Sequence, residues 1–226
     1  MNYAKLVTAI EDTTENTFTV DQLNTFIKQT EQSVFQAIKF PAMRLIDTED
    51  ITSGQSNFVL INVSESATYL YTDSLLIRVT GETAHTPLIQ KDYSFILDAY
   101  PDSGATGRPK YYALVAPSSA ADEGTDIYHN IQVLLGPKQD ANYTLVHTYY
   151  TYPESITNGV TDKASNATSW LGDNFDNVLL NGALVEAARF MKAEQDIVAI
   201  YNEQYLSSLK LAAQLSENLL RDGNSQ

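Results

Sequence analysis

The hydrophobic period of this chain changes twice, and that constrains its fold more than any single motif. Leu23, Phe26, Ile27, Val34 and Ile38, with Thr30 in phase, recur at the spacing of one helix face until Pro41 stops the run. Between Met43 and Tyr152 the period falls to two, in a stretch rich in Thr, Tyr, Val and Ile and broken by turn residues. Helical spacing returns near Asp173. A chain that reads helix, strands, helix is expected to be α+β. Its terminal helices would pack as a helical bundle, with an antiparallel β-sandwich or barrel domain inserted between them.

The boundaries follow from the punctuation. Leu6, Val7 and Ile10 mark a first short helix over 3–10, and Glu11 to Asn16 reads as a polar linker. Thr19 with Gln22 forms a capping box, and Phe18 with Leu23 stands where a hydrophobic staple would. Strands are predicted over 43–51, 57–61, 69–79, 110–116, 127–135 and 142–152, separated by turn signals such as Ser53-Gly54, Thr80-Gly81-Glu82 and Gly136-Pro137. The short amphipathic segment after Lys91 is a helix closed by Pro101. The small polar run over 118–125 reads as an exposed hairpin tip, and 157–168 as a polar loop. One apolar stripe runs Leu180, Ala183, Leu184, Ala187, Met191, and a second runs Ile197, Tyr201, Tyr205, Leu209, Ala212, Leu215, Leu219, with a joint at Lys192-Ala193-Glu194. The expected organisation is N-terminal helices over 1–42, a β domain over 43–156, a linker loop over 157–172, C-terminal helices over 173–220 and a flexible tail over 221–226.

Composition narrows the function. A formal net charge of −14 argues against gripping nucleic acid, which needs a basic footprint. With no cysteine there are no disulfides, zinc–thiolate sites or cysteine nucleophiles. No apolar run approaches the roughly 18 residues needed to span a bilayer, and the N-terminus lacks a signal peptide's apolar stretch, so a soluble, unsecreted protein is expected. Fourteen Tyr against eight Phe suits half-buried sheet faces and subunit interfaces.

The residues for chemistry are thin. His85, His129 and His147 are scattered, without the spacing that brings metal ligands together. The acidic groups Asp47, Glu49 and Asp50, then Asp122, Glu123 and Asp126, then Asp173 and Asp176 fall at a strand end, a loop tip and a helix start, where the last pair serves the helix dipole. No phosphate-loop, dinucleotide or nucleophile-elbow motif is present, and the glycines of 104–109 lead into a strand rather than a helix. Tyr111-Tyr112 and Tyr149-Tyr150 could stack on sugars, but strand neighbours point to opposite faces. No catalytic residue, metal or cofactor is expected, and no enzyme.

One ordered set of blocks is informative. It begins at Tyr3-Ala4-Lys5-Leu6-Val7 and passes through Pro41-Ala42-Met43-Arg44, Lys91-Asp92-Tyr93, Phe95 to Pro101 and Gly107-Arg108-Pro109-Lys110-Tyr111-Tyr112. Tyr143-Thr144-Leu145, Pro153-Glu154-Ser155-Ile156, Ser169-Trp170-Leu171 and Leu184-Val185-Glu186-Ala187 follow, then Phe190 to Glu194 and the helix of Tyr201 and Tyr205. The set resembles the head–tail adaptor family of short-tailed bacteriophages. Such proteins often carry a Gly turn after the position of Lys192, from which Ala193 departs.

The resemblance implies a structural virion protein at the head–tail interface, made in the host cytoplasm. Its partners would be the portal protein and a tail nozzle or tail-tube protein, with no membrane. It would form a homo-oligomeric, dodecameric ring through whose lumen DNA passes without specific binding, the acidic charge keeping DNA sliding. Tyr201, Tyr205, Leu209 and Leu215 are the candidates for helix packing or neighbour contact, Arg221 and the tail for the portal, and Asp122 and Asp126 for a tail-facing or lateral surface. The competing readings are a carbohydrate-binding β-domain of a tail fibre or spike, a glycan-cleaving enzyme and a head-completion stopper.

Overall fold

The computed structural model describes residues 1–54, 58–62, 68–102, 104–115 and 130–223. Contacts divide the chain into two units, Met1–Met43 with Tyr152–Gln226, and Arg44–Thr151. Among the described residues the fold is mixed α+β, with six α-helices and several sheets.

The first unit opens with α1 (Tyr3–Thr14), capped by the Asn2 side chain. It runs four residues past the predicted Ile10. Thr13 and Thr14 donate their hydroxyls to the carbonyls of Ala9 and Ile10, so residues that read as polar linker satisfy themselves within the helix. Helix α2 (Val20–Ala37) starts at Thr19 with both bonds of the capping box, and buries Leu23, Phe26, Ile27, Thr30, Glu31, Val34 and Phe35. Helices α4 (Trp170–Asn174), α5 (Asp176–Phe190) and α6 (Gln195–Gly223) complete the unit. Helical structure thus resumes at Trp170, because Ser169 accepts the amide of Gly172 as an N-cap.

The loop over 157–168 is irregular but pinned. The amides of Tyr3 and Ala4 donate to the carbonyls of Ala167 and Ser165, Asn24 donates to Val160, and Lys163 pairs with Glu11 at 2.6 Å. Beneath it lies Glu31, 3% exposed, which accepts the amide of Ile156 at 3.1 Å and the hydroxyl of Ser169 at 3.5 Å. Burial raises its carboxyl pKa, against the bonds from Ser155, Ile156 and Ser169 that lower it.

The second unit holds two four-stranded sheets. In the first, β1 (Arg44–Ile51), β10 (Tyr143–Tyr152), β3 (Thr68–Val79) and β4 (Thr86–Pro87) lie in that order. In the second the order is β2 (Phe58–Asn62), β8 (Asn130–Gly136), β7 (Tyr111–Val115), β5 (Ile89–Gln90). The chain leaves the first sheet for the second at buried Leu88, whose amide still donates to Leu75 while the next amide donates to Lys110. The antiparallel expectation therefore needs one correction. β5 pairs with β7 in parallel, as do β6 (Thr106–Gly107) and β9 (Lys138–Gln139). Ladders of two residues carry no readable period. One apolar cluster draws Ile51, Leu75, Leu145 and Tyr149 from the first sheet and Val59, Tyr112, Val133 and Leu135 from the second.

Strand alternation splits both tyrosine pairs. Tyr112 and Tyr149 enter that cluster, whereas Tyr111 packs edge-on to Phe95 and Tyr150 stacks on Tyr71 at 4.9 Å. His147 stands in the sheet, as its alternating strand predicts. It bonds Thr72 at 2.8 Å and stacks on Tyr149 at 4.7 Å, and burial pushes its pKa down to about 4. Helix α3 (Tyr93–Ala99) turns Ile96 inward, while Tyr93, Phe95 and Leu97 stay exposed.

Candidate assembly surface

The surface is built on the hairpin of α5 and α6. α5 ends in a Schellman motif: the amide of Ala193 donates to Ala188, and that of Lys192 to Arg189. The left-handed residue is Lys192, at φ 54°, so the turn expected around 192–194 is made by lysine and Ala193 is ordinary. The two helices then pack along their length.

Close approach is set by Gly182 of α5. A Cβ there would lie 2.3 Å from Thr30 of α2 and 3.0 Å from the Tyr205 ring of α6. Tyr205 is half-buried over this glycine, and burial, with the Glu186 charge, raises its phenol pKa. Tyr201 and Leu209 are half-buried on the same face, and Ala212 is buried. Ser216 closes the seam. Only 1% exposed, it donates its hydroxyl to the carbonyl of Lys39 at 2.6 Å.

The structure thus divides the predicted stripe. Tyr201, Tyr205 and Leu209 face inward, whereas Leu215 is 55% exposed and Ile197 42%. These two join Ile200 and Leu211 in a second apolar line, roughly a third of a turn around the helix from Tyr205. Residues 197, 200, 204, 207 and 211 follow a three–four spacing, with Gln204 and Ser207 at the centre. Ile200, Gln204, Ser207 and Leu211, with Glu203 and Ser208 beside them and Asn177 and Asn181 of α5, line an open groove of about 550 Å³. The sequence reading missed Gly182, Ser216 and this outer line. The heptad spacing was the available signal. Arg221 continues α6, which runs to Gly223 rather than ending in a loose tail at 221. Asp122 and Asp126, like His129 and the tip over 118–125, lie outside the described residues.

Four of the acidic candidates have structural roles. Asp47 accepts the hydroxyl of Tyr149, and Asp50 that of Thr144 at 2.7 Å. Asp173 lies 3.6 Å from the N-terminal ammonium, which also donates to the Gly172 carbonyl. Asp176 is in the first turn of α5. Among the described residues no cluster of His, Cys, Asp or Glu is arranged to hold a metal, and no helix is long and apolar enough to cross a membrane.

Residues 1–224 match the family described as SU10 adaptor protein. The chain belongs to the SU10 adaptor protein family. The match covers the helices of the first unit and both sheets of the second, in agreement with the phage head–tail adaptor resemblance of the sequence. No curated protein sequence matches it. Within this SU10 adaptor family member, the outer line of α6 is the largest run of exposed apolar residues on one described helix.

Proposed function

We propose that the protein is a structural head–tail adaptor of a short-tailed phage virion. It forms a homo-oligomeric, dodecameric ring under the portal, extends the DNA channel and recruits a tail nozzle or tail-tube protein. The end-to-end family match carries this reading. In the same reading the terminal helices make a helical bundle and the two sheets, which share a core cluster, a sandwich. The helical unit, Met1–Met43 with Tyr152–Gln226, and the β unit, Arg44–Thr151, are the two domains of this reading. The net charge of −14, repeated around a ring, supports a lumen that lets DNA pass without specific binding. Arg221 and the end of α6 supply the portal contact, and the segment with Asp122 and Asp126 a tail-facing or lateral contact.

Native mass spectrometry of the chain, alone and with the portal of the same genome, tests this. A ring-sized increment on the portal is expected, and it should vanish when 219–226 are removed, a truncation that leaves the Ser216 bond to Lys39 in place. A free trimer, or glycan binding without portal association, would replace the reading with a tail-fibre module. The split tyrosine pairs argue against that alternative.

A further inference from the structure

Among the described residues the outer line of α6 is left exposed. Ile200, Leu211 and Leu215 are each more than half exposed, and all lie on one flank. That is a coiled-coil-like seam facing solvent. The same unit also presents α1. Helix α5 packs against α1, α2 and α6, whereas α1 and α6 share no substantial contact. The outward side of α1 is a shallow cavity of about 370 Å³ lined by Ala4, Lys5, Thr8, Ala9 and Asp12. Its small side chains let another helix approach closely, which bulky ones would prevent.

Charge decides between possible occupants. Along α6, Asp196, Glu203, Lys210 and Glu217 recur every seven residues and flank the apolar line. On α1, Lys5 and Asp12 are also seven apart, or roughly 10 Å along the axis. Lys5, Asp12, Glu203, Lys210 and Glu217 are all exposed, and none has an ion-pair partner among the described residues. Setting Asp12 opposite Lys210 places Lys5 one heptad away, opposite Glu203 if the helices run parallel and Glu217 if they run antiparallel. Either direction gives opposite charges on both pairs. A second α6 would instead meet this largely acidic row with its own acidic residues.

We infer that the groove of α5 and α6 in one copy receives the α1 helix of a second copy, with Asp12 paired to Lys210 across the contact. The surface that gives and the surface that receives are different patches of one chain. Such a heterologous contact repeats head to tail and closes into a ring when the rotation allows. This inference rests on the ring reading above and names the faces that would build it.

The absence of native cysteine makes the test direct. The chain carrying both Ala9→Cys and Leu211→Cys, mixed with the portal and treated with a short bis-maleimide, should give a ladder beyond dimer on a denaturing gel. Each single variant should give none. Lys210→Glu should weaken self-association about tenfold, and Asp12→Lys in the same chain should restore it. Unchanged circular dichroism and melting of these surface variants would show that folding is not the cause. Dimers from Leu211→Cys alone would mean that the seam faces itself, and crosslinks to the portal that it docks there. Either overturns the inference, as does an absent ladder while the native chain still loads onto the portal. If the native chain does not load at all, the ring reading fails. The same crosslinking on the chain alone at high concentration then decides the contact, and absence of a ladder overturns it.

Discussion

Helices α5 and α6 are joined by one tight turn, yet they live in different environments. Eight of the fifteen residues of α5 are buried, among them Val178, Leu179, Gly182 and Ala183. In α6, with 29 residues, only Ala212 and Ser216 are buried among the described side chains. Both helices are rich in apolar residues, so composition does not separate them. α5 is enclosed because small residues on it admit neighbours from several sides, while α6 spends one face on α5 and leaves the other apolar line open. A core helix and an assembly helix can therefore share one hydrophobic period, and their neighbours tell them apart.

The enclosure of α5 is most vulnerable at Gly182. Gly182→Ala puts a methyl 2.3 Å from Thr30, a collision that only movement of α2 or α5 can relieve. A loss of about 3 kcal/mol is expected, read as a lower urea midpoint with unchanged slope. If the midpoint does not move, close approach through this glycine is not what encloses α5. The next largest effect belongs to Glu31, beneath the pinned loop. Glu31→Ala leaves the Ile156 amide and the Ser169 hydroxyl without their acceptor and should cost about 2 kcal/mol. Glu31→Gln keeps a carbonyl oxygen for them and removes a buried charge, so it should be at least as stable as the native chain at pH 7. The pH dependence carries the same sign. Because the folded pKa of Glu31 is raised, the folded state holds its proton longer, and this group's contribution falls as pH rises above 4.5 through the folded value. Glu31→Gln should remove that slope from a plot of unfolding free energy against pH.

These residues also mark how far the sequence could be read. Helix α2 was legible almost to the residue, since the capping box, the apolar period and Pro41 all agree. The long strands β1, β3 and β10 were legible because runs of eight or more residues rich in Thr, Tyr, Val, Leu and Ile between turn signals have few other meanings. The parallel ladder at Ile89–Gln90 was not, and neither was the outward set of Tyr93, Phe95 and Leu97, because one buried residue, Ile96, anchors α3. At the candidate surface, Tyr201, Tyr205 and Leu209 were read in phase with the inner face, and Leu215 drifted out of it. A helix with two apolar flanks has no unique hydrophobic direction. The direction is fixed by Gly182 and Thr30, which are distant in sequence and unremarkable in type.

The joint between the helices offers a smaller effect of opposite sign. Lys192 holds a left-handed conformation, at φ 54°, that a side chain disfavours. Lys192→Gly relieves this at some cost in unfolded-chain entropy, for a net gain of about 0.5 to 1 kcal/mol. Ala193→Gly should bring no gain, since Ala193 is already in an ordinary conformation and only its amide is used, in the bond to Ala188. Thermal melts of the two variants would place the turn. A higher melting temperature for Ala193→Gly than for Lys192→Gly would move the break one residue on and rotate all of α6 relative to α5.

Leu211 is 60% exposed, so Leu211→Gln removes little buried surface and should alter the unfolding free energy of the isolated chain by no more than about 0.5 kcal/mol. Glutamine is also a good helix former, so propensity should not mask the result. An apolar residue that can be made polar without cost to the monomer is not holding the monomer together. If Leu211→Gln also lowers the fraction of chain that joins a larger assembly, its apolar surface serves that assembly. If it instead destabilises the chain as much as a buried leucine would, then Leu211 is covered within one copy and the contrast between α5 and α6 disappears.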